Sequence, residues 1–148
     1  MAPMTMTLEL PDGATVEYLT PLADGVPCVL RGTIPPGGTV PLHSHEDTET
    51  FLVTAGEIEG FGGDGWFTLR AGEVHHVPGH VKHAWRNLGG EPAVMFLVTT
   101  ATIGRFFEEV SGVPPEEFLA ISDRYGYWNA TPEENAEIGI TVPAPAHP

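Results

Sequence analysis

The chain has 148 residues and a mass of 15.8 kDa, the size of one domain with no room for a second independent core. Its 18 glycines and 15 prolines demand many turns and keep helix from dominating. Six Lys and Arg stand against 20 Asp and Glu, and the net charge of −14 repels phosphate backbones and anionic lipid surfaces, so nucleic acid and membrane are poor partners.

The N-terminal stretch Met1-Ala-Pro-Met-Thr-Met-Thr7 lacks the basic and apolar regions of a secretion signal, and no apolar run reaches the length of a membrane span, so a soluble, cytoplasmic protein is expected. Short runs rich in Val, Ile, Thr and aromatics follow: 6–10, 14–19, 26–34, 50–55, 57–61, 65–69, 74–77, 81–86 and 93–99. Turn signals such as Asp12-Gly13, Pro35-Pro36-Gly37-Gly38, Gly62-Gly63-Asp64-Gly65 and Pro78-Gly79 separate them. Many short strands in one domain predict an all-β sandwich or barrel over about residues 6–100. The single cysteine, Cys28, sits in an apolar run and reads as a buried thiol.

After Thr100 the period changes. Ile103, Phe106, Phe107 and Val110 fall on one helix face, and Pro114-Pro115-Glu116-Glu117 opens a second helix that meets Gly126. Both are expected on the barrel exterior, and 133–140 adds a helical turn or an edge strand. The expected organisation is a single domain over 1–148, with a helical extension over about 101–140.

Six of the seven histidines lie between positions 43 and 83. His43, His45 and Glu49 form H-x-H-x3-E; side chains two apart on a strand share a face, so two imidazoles converge and Glu49 joins them after a turn. Imidazole with carboxylate suits Fe, Mn, Ni, Co, Cu or Zn rather than Ca or Mg, which prefer oxygen shells.

Gly37 and Gly56 extend the pattern to G-x5-H-x-H-x3-E-x6-G, and Gly72-x5-Pro78-x-His80-x2-His83-x3-Asn87 follows after fifteen residues. The two strings resemble the paired motifs of the cupin superfamily, with His80 standing where the family pattern has glycine. The resemblance implies a conical jelly-roll barrel with short C-terminal helices, and one divalent transition metal held by His43, His45, Glu49 and His83. The helical segments 104–110 and 118–126 resemble bacterial quercetinase-like single-domain cupins, which are flavonol dioxygenases; other small cupins cyclise aromatic polyketides. A dioxygenase acting on a phenolic or enolic aromatic compound is therefore the leading expectation, with dioxygen as co-substrate and Glu49 as ligand and base. A polyketide cyclase or isomerase using the metal as Lewis acid, and a small-molecule-binding cupin without turnover, are the alternatives. Family resemblance and the exposed edges of small barrels also imply a homodimer.

Phe51 and Val53 share parity with Glu49, and Trp85 with His83, so these are expected to line the pocket. His75 and His76 are adjacent, so at most one enters; parity alone does not choose, and His76 is carried as the pocket candidate. His80 is expected to be a solvated turn residue, with a proton shuttle or extra ligand as the alternative. Trp66, Tyr127 and Trp128 are candidates for a lid, although packing is the more ordinary role of aromatics.

Overall fold

The structure is a computed structural model describing residues 7–10 and 13–142; Met6, Asp12 and His147 lie outside the described residues. Ten strands come first: β1 (Thr7–Glu9), β2 (Thr15–Tyr18), β3 (Cys28–Ile34), β4 (Thr39–Ser44), β5 (Glu49–Ala55), β6 (Glu57–Gly62), β7 (Gly65–Arg70), β8 (Val74–Val77), β9 (His83–Arg86) and β10 (Ala93–Thr99). They are followed by α1 (Ala101–Val110), α2 (Pro115–Arg124), β11 (Trp128–Asn129) and α3 (Pro132–Glu137).

The strands form two antiparallel sheets, in the orders β1-β2-β3-β10-β5-β8 and β11-β4-β9-β6-β7, that face each other as a jelly roll. Alternation decides which side chains face inward. On β5 these are Glu49, Phe51 and Val53; on β10, Ala93, Met95, Leu97 and Thr99; on β3, Cys28, Leu30 and Ile34. Full burial of an aliphatic side chain such as Val53, Leu30 or Ile58 contributes about 1.5–3 kcal/mol each, which sets the register of both sheets.

β4 is absent from the strand runs expected from sequence because Pro41 interrupts it. The proline sits where the β4–β9 pairing shifts register, between Val40 and His43, a position that tolerates a residue without an N–H. Val40 and His43 are three residues apart, yet both line the barrel interior, and the irregularity is what allows it. The strand expected over 81–86 shortens to β9, since the chain from Pro78 to Lys82 turns.

The helices are present, but they do more than cover the exterior. Phe106 of α1 lies against Tyr127, and Phe107 lines the barrel cavity. Thr100 caps α1, accepting from Ile103 N–H, and its own hydroxyl donates to Asp47 Oδ1 at 2.9 Å. Beyond α2 the chain crosses the outer face of the second sheet. There Ile138, Ile140 and Val142 pack with Leu42, Ala84, Phe61, Trp66 and Trp128. The segment expected as a helical turn or an edge strand is thus α3, started by a capping box between Thr131 and Glu134. Among the described residues no helix is long and apolar enough to cross a membrane.

Candidate metal centre

His43 on β4 and His83 on β9 pair directly across the second sheet, while Glu49 opens β5 on the first. His45 follows β4 in the turn between them. That turn is held from three sides: Thr99 Oγ1 donates to Thr48 O, Thr100 donates to Asp47, and His80 N–H donates to His45 O at 2.7 Å. The four residues bring one ligand atom each to within 4.8 Å of one another.

Each of the three rings is locked by a backbone carbonyl. His43 Nδ1 bonds Pro41 O, His45 Nδ1 bonds Asp47 O and His83 Nδ1 bonds Val81 O, each at 2.8 Å. A carbonyl only accepts, so every Nδ1 carries the proton and every Nε2 faces the cluster, the arrangement that fixes tautomer and ring orientation in histidine-ligated metal sites. Glu49 Oε1 stands 2.9 Å from His45 Nε2 and 3.1 Å from His83 Nε2. Neighbouring ligands on an ion bound at about 2.1 Å would be about 3 Å apart, so donor types and spacing both fit a divalent transition ion.

The electrostatics agree. Burial alone would raise the Glu49 pKa, but hydrogen bonds from His45 and His83 outweigh it and hold the carboxyl below the usual range. Burial likewise opposes charge on His45, yet the Glu49 hydrogen bond and carboxylate raise its pKa. His43 is pushed down to about 3, first by burial and then by the neighbouring imidazoles. With each ring protonated on Nδ1, three Nε2 lone pairs and one carboxylate converge at a largely buried point, a setting in which a cation is welcome.

A cavity of about 80 Å³ adjoins the cluster, lined by His43, Glu49 and His83 together with Val40, Phe51, Trp85, Met95 and Leu97. Phe51 and Trp85 thus occupy the expected lining positions, with ring centroids 4.7 Å apart. Val53 does not line the cavity; it lies one step deeper, fully buried in the core. His76 is corrected: it is exposed and shares a 2.8 Å hydrogen bond with Thr50 Oγ1 on the outer surface. His75 turns inward instead, against Phe67 and Trp85, because it pairs with Phe51 and shares parity with the buried Val77. That parity was available in the sequence, but the exposed Val74 of the opposite parity cancelled the signal.

His80 takes φ 64°, the left-handed conformation of the glycine it replaces, and is exposed. Two of the three lid candidates take the more ordinary packing role: Trp66 lies beneath Arg86 and donates to Ile138 O, and Trp128 lies beneath Lys82, both on the outer face of the second sheet. Tyr127 is different. Its ring sits 4.8 Å from that of His45, wedged between this histidine and Phe106. Burial, then Glu49 and Asp47, raise its pKa and keep the phenol protonated. The second motif's Asn87 is fully buried, donating to Ile34 O and Glu91 O, and so closes a turn rather than serving the centre. The carbonyls of Pro41, Asp47 and Val81, which aim the imidazoles, leave no trace in a side-chain pattern.

Residues 30–99 match the model of the Cupin domain. Among solved structures, a Cupin 2 conserved barrel domain protein from Salinispora arenicola CNS-205 is 17% identical over 84% of this chain and 98% of its own, with a TM-score of 0.57. The polyketide cyclase RemF from Streptomyces resistomycificus is 18% identical over 68% of this chain and 80% of its own, at TM-score 0.59. A DMSP lyase structure is 18% identical over 59% of this chain at TM-score 0.53, and this chain spans only 47% of its length. No curated protein matches the chain. At these identities the likeness is one of fold. Two facing antiparallel sheets, the matched model and the paired motifs all agree: the chain carries a cupin domain over residues 30–99.

Proposed function

We propose that this chain is a metal-dependent cupin enzyme, with His43, His45, Glu49 and His83 holding one divalent transition ion, and that it acts as a dioxygenase on a phenolic or enolic small molecule. The observation that carries the reading is the carbonyl lock on all three imidazoles, which leaves three Nε2 atoms and a carboxylate pointed at one place. An ion held there supplies Lewis acidity toward a substrate oxygen and, when redox-active, the means to use dioxygen. Glu49, kept ionised, takes the substrate's proton on Oε2, the oxygen that neither imidazole engages. Phe51, Trp85, Met95 and Leu97 keep water from the reacting group. A cavity of about 80 Å³ is far smaller than ordinary ligand pockets, about 300–1,000 Å³, so it admits the reacting end of a compact substrate.

Metal analysis of protein isolated without added metal, followed by oxygen uptake with an ortho-hydroxylated carbonyl substrate, tests the reading. Near-stoichiometric metal and substrate-dependent oxygen consumption are expected. A chain that holds no transition metal after reconstitution removes the enzyme reading altogether, and unchanged turnover without oxygen moves the reaction to the cyclase or isomerase class. The same proposal includes a single domain and a homodimer formed through the open edges of the first sheet, which a sedimentation mass checks.

A further inference from the structure

Of the four cluster residues, His45 is the one that lies on no strand. β4 ends at Ser44 and β5 opens at Glu49, whereas His43 and His83 face each other within the second sheet. It is also the one that does not line the cavity. Its carbonyl accepts from His80 N–H, and its Nδ1 bonds Asp47 O. A single hydrogen bond at Nδ1 leaves an imidazole free to rock about that contact, and Nε2, across the ring, moves most. The other restraint on the ring is Tyr127, whose centroid lies 4.8 Å away with the two planes 42° apart.

The place of Tyr127 follows from the backbone. β11 pairs antiparallel with β4, Asn129 opposite His43 and Trp128 opposite Ser44, and Ala130 N–H donates to Leu42 O. Continued by one residue, that register sets Tyr127 opposite His45. Tyr127 is held in turn: its N–H donates to Ser122 O of α2 at 2.9 Å, and the Phe106 ring of α1 stands behind its ring at 4.1 Å. His45, Tyr127 and Phe106 thus form one stack that ends on the helices, and Tyr127 lies beyond the residues 30–99 that match the family model.

We propose that Tyr127 is a positioning residue of the metal centre: its ring holds the His45 imidazole at the angle that presents Nε2 to the ion, so the C-terminal extension sets the metal affinity of a ligand the barrel strands do not hold. The ring does this and not the phenol, whose oxygen is buried with no hydrogen-bond partner among the described residues. Phe should therefore replace it without loss. The inference rests on the metal site of the proposed function, but the restraint on His45 exists in the metal-free chain as well.

The test uses the full chain and two readouts. Co(II) titration, followed by its visible absorption, reports affinity and coordination geometry. NMR of the imidazole Nδ1–H protons, in metal-free and zinc-loaded protein, reports each ring separately, the His45 signal being the one missing from His45→Ala. In Tyr127→Leu, Co(II) should bind roughly tenfold more weakly with an altered absorption band, and the His45 N–H alone should broaden or exchange while those of His43 and His83 persist. Tyr127→Phe should match the wild type in both. Val110→Ala, in the same apolar cluster at the far end of α1, should lose stability yet keep the wild-type affinity and spectrum. Phe106→Leu, which removes the ring behind Tyr127, should show a smaller loss in the same direction and carries the test where Tyr127→Leu does not fold. Wild-type affinity in both leucine variants, a Tyr127→Phe as weak as Tyr127→Leu, or an equal loss in Val110→Ala overturns the proposal. A wild-type chain that takes up no metal removes the proposed function instead, and the metal-free His45 N–H then decides the positioning role alone.

Discussion

His80 carries a side chain through φ 64° in an exposed turn, where an L-residue costs about 1–2 kcal/mol, partly offset by the greater freedom glycine has when unfolded. His80→Gly should therefore raise stability by about 0.5–1 kcal/mol, read from urea unfolding, with metal content unchanged. At the centre, removing one imidazole and removing the carboxylate charge should separate cleanly. His83→Ala deletes a ring that Val81 O aims, and metal occupancy should fall by roughly tenfold or more. Glu49→Gln keeps an oxygen near His45 and His83 but cannot take a proton, so metal analysis should find much of the ion retained while turnover is lost.

The same residues fix the sign of the pH response. His43 is neutral in the folded metal-free protein down to about pH 3 but protonates near 6.5 when unfolded, so between these values the unfolded chain binds more protons and stability falls as pH falls. Glu49, with its pKa depressed, adds stability above the ordinary carboxylate range and loses it on acidification. His45, with its pKa raised, works in the other direction, stabilising at low pH and ceasing to do so as pH rises through its folded value. Thermal unfolding of the metal-free protein from pH 8 to 4 should show the net acid loss, and metal-loaded protein should release its ion over the same range as protons compete for the imidazoles.

At the level of elements, α3 acts on the centre from outside the barrel. Asn135 is 1% exposed; its Oδ1 accepts from Leu42 N–H at 2.9 Å and its Nδ2 donates to Thr131 O. Leu42 immediately precedes His43, on the strand whose register Pro41 shifts. Asn135→Ala leaves that buried N–H unpaired and should cost about 1–3 kcal/mol in urea unfolding. The capping box Thr131-Pro-Glu-Glu134 was readable as a helix start, but nothing near it in sequence pointed to a partner on β4.

For the whole molecule, the cluster joins the two sheets: His43 and His83 belong to the second and Glu49 to the first. An ion bound there cross-links them and stabilises the folded state alone. At about 100 times its dissociation constant it adds about 2.7 kcal/mol, so chelation should lower the melting temperature of a chain this size by roughly 5–10 °C. An unchanged melting temperature after complete removal of metal would show that the ion does not hold the sheets together.

Composition, turn chemistry and residue parity sufficed for the all-β class, the inward placement of Phe51 and Trp85 and the convergence of His43 and His45, because these depend on local alternation and short spacing, whereas His83 entered the donor set only through the resemblance of its motif to the cupin pattern. Other features lay beyond that reach. The register shift at Pro41, the choice of His75 over His76, the burial of Trp66 and Trp128 beneath the C-terminal segment and the ring contact of Tyr127 with His45 were decided only when the chain closed on itself. Contacts such as Asn135 to Leu42 join residues 93 positions apart, and the free energy that selects them comes from burial across the two sheets, which no local period encodes.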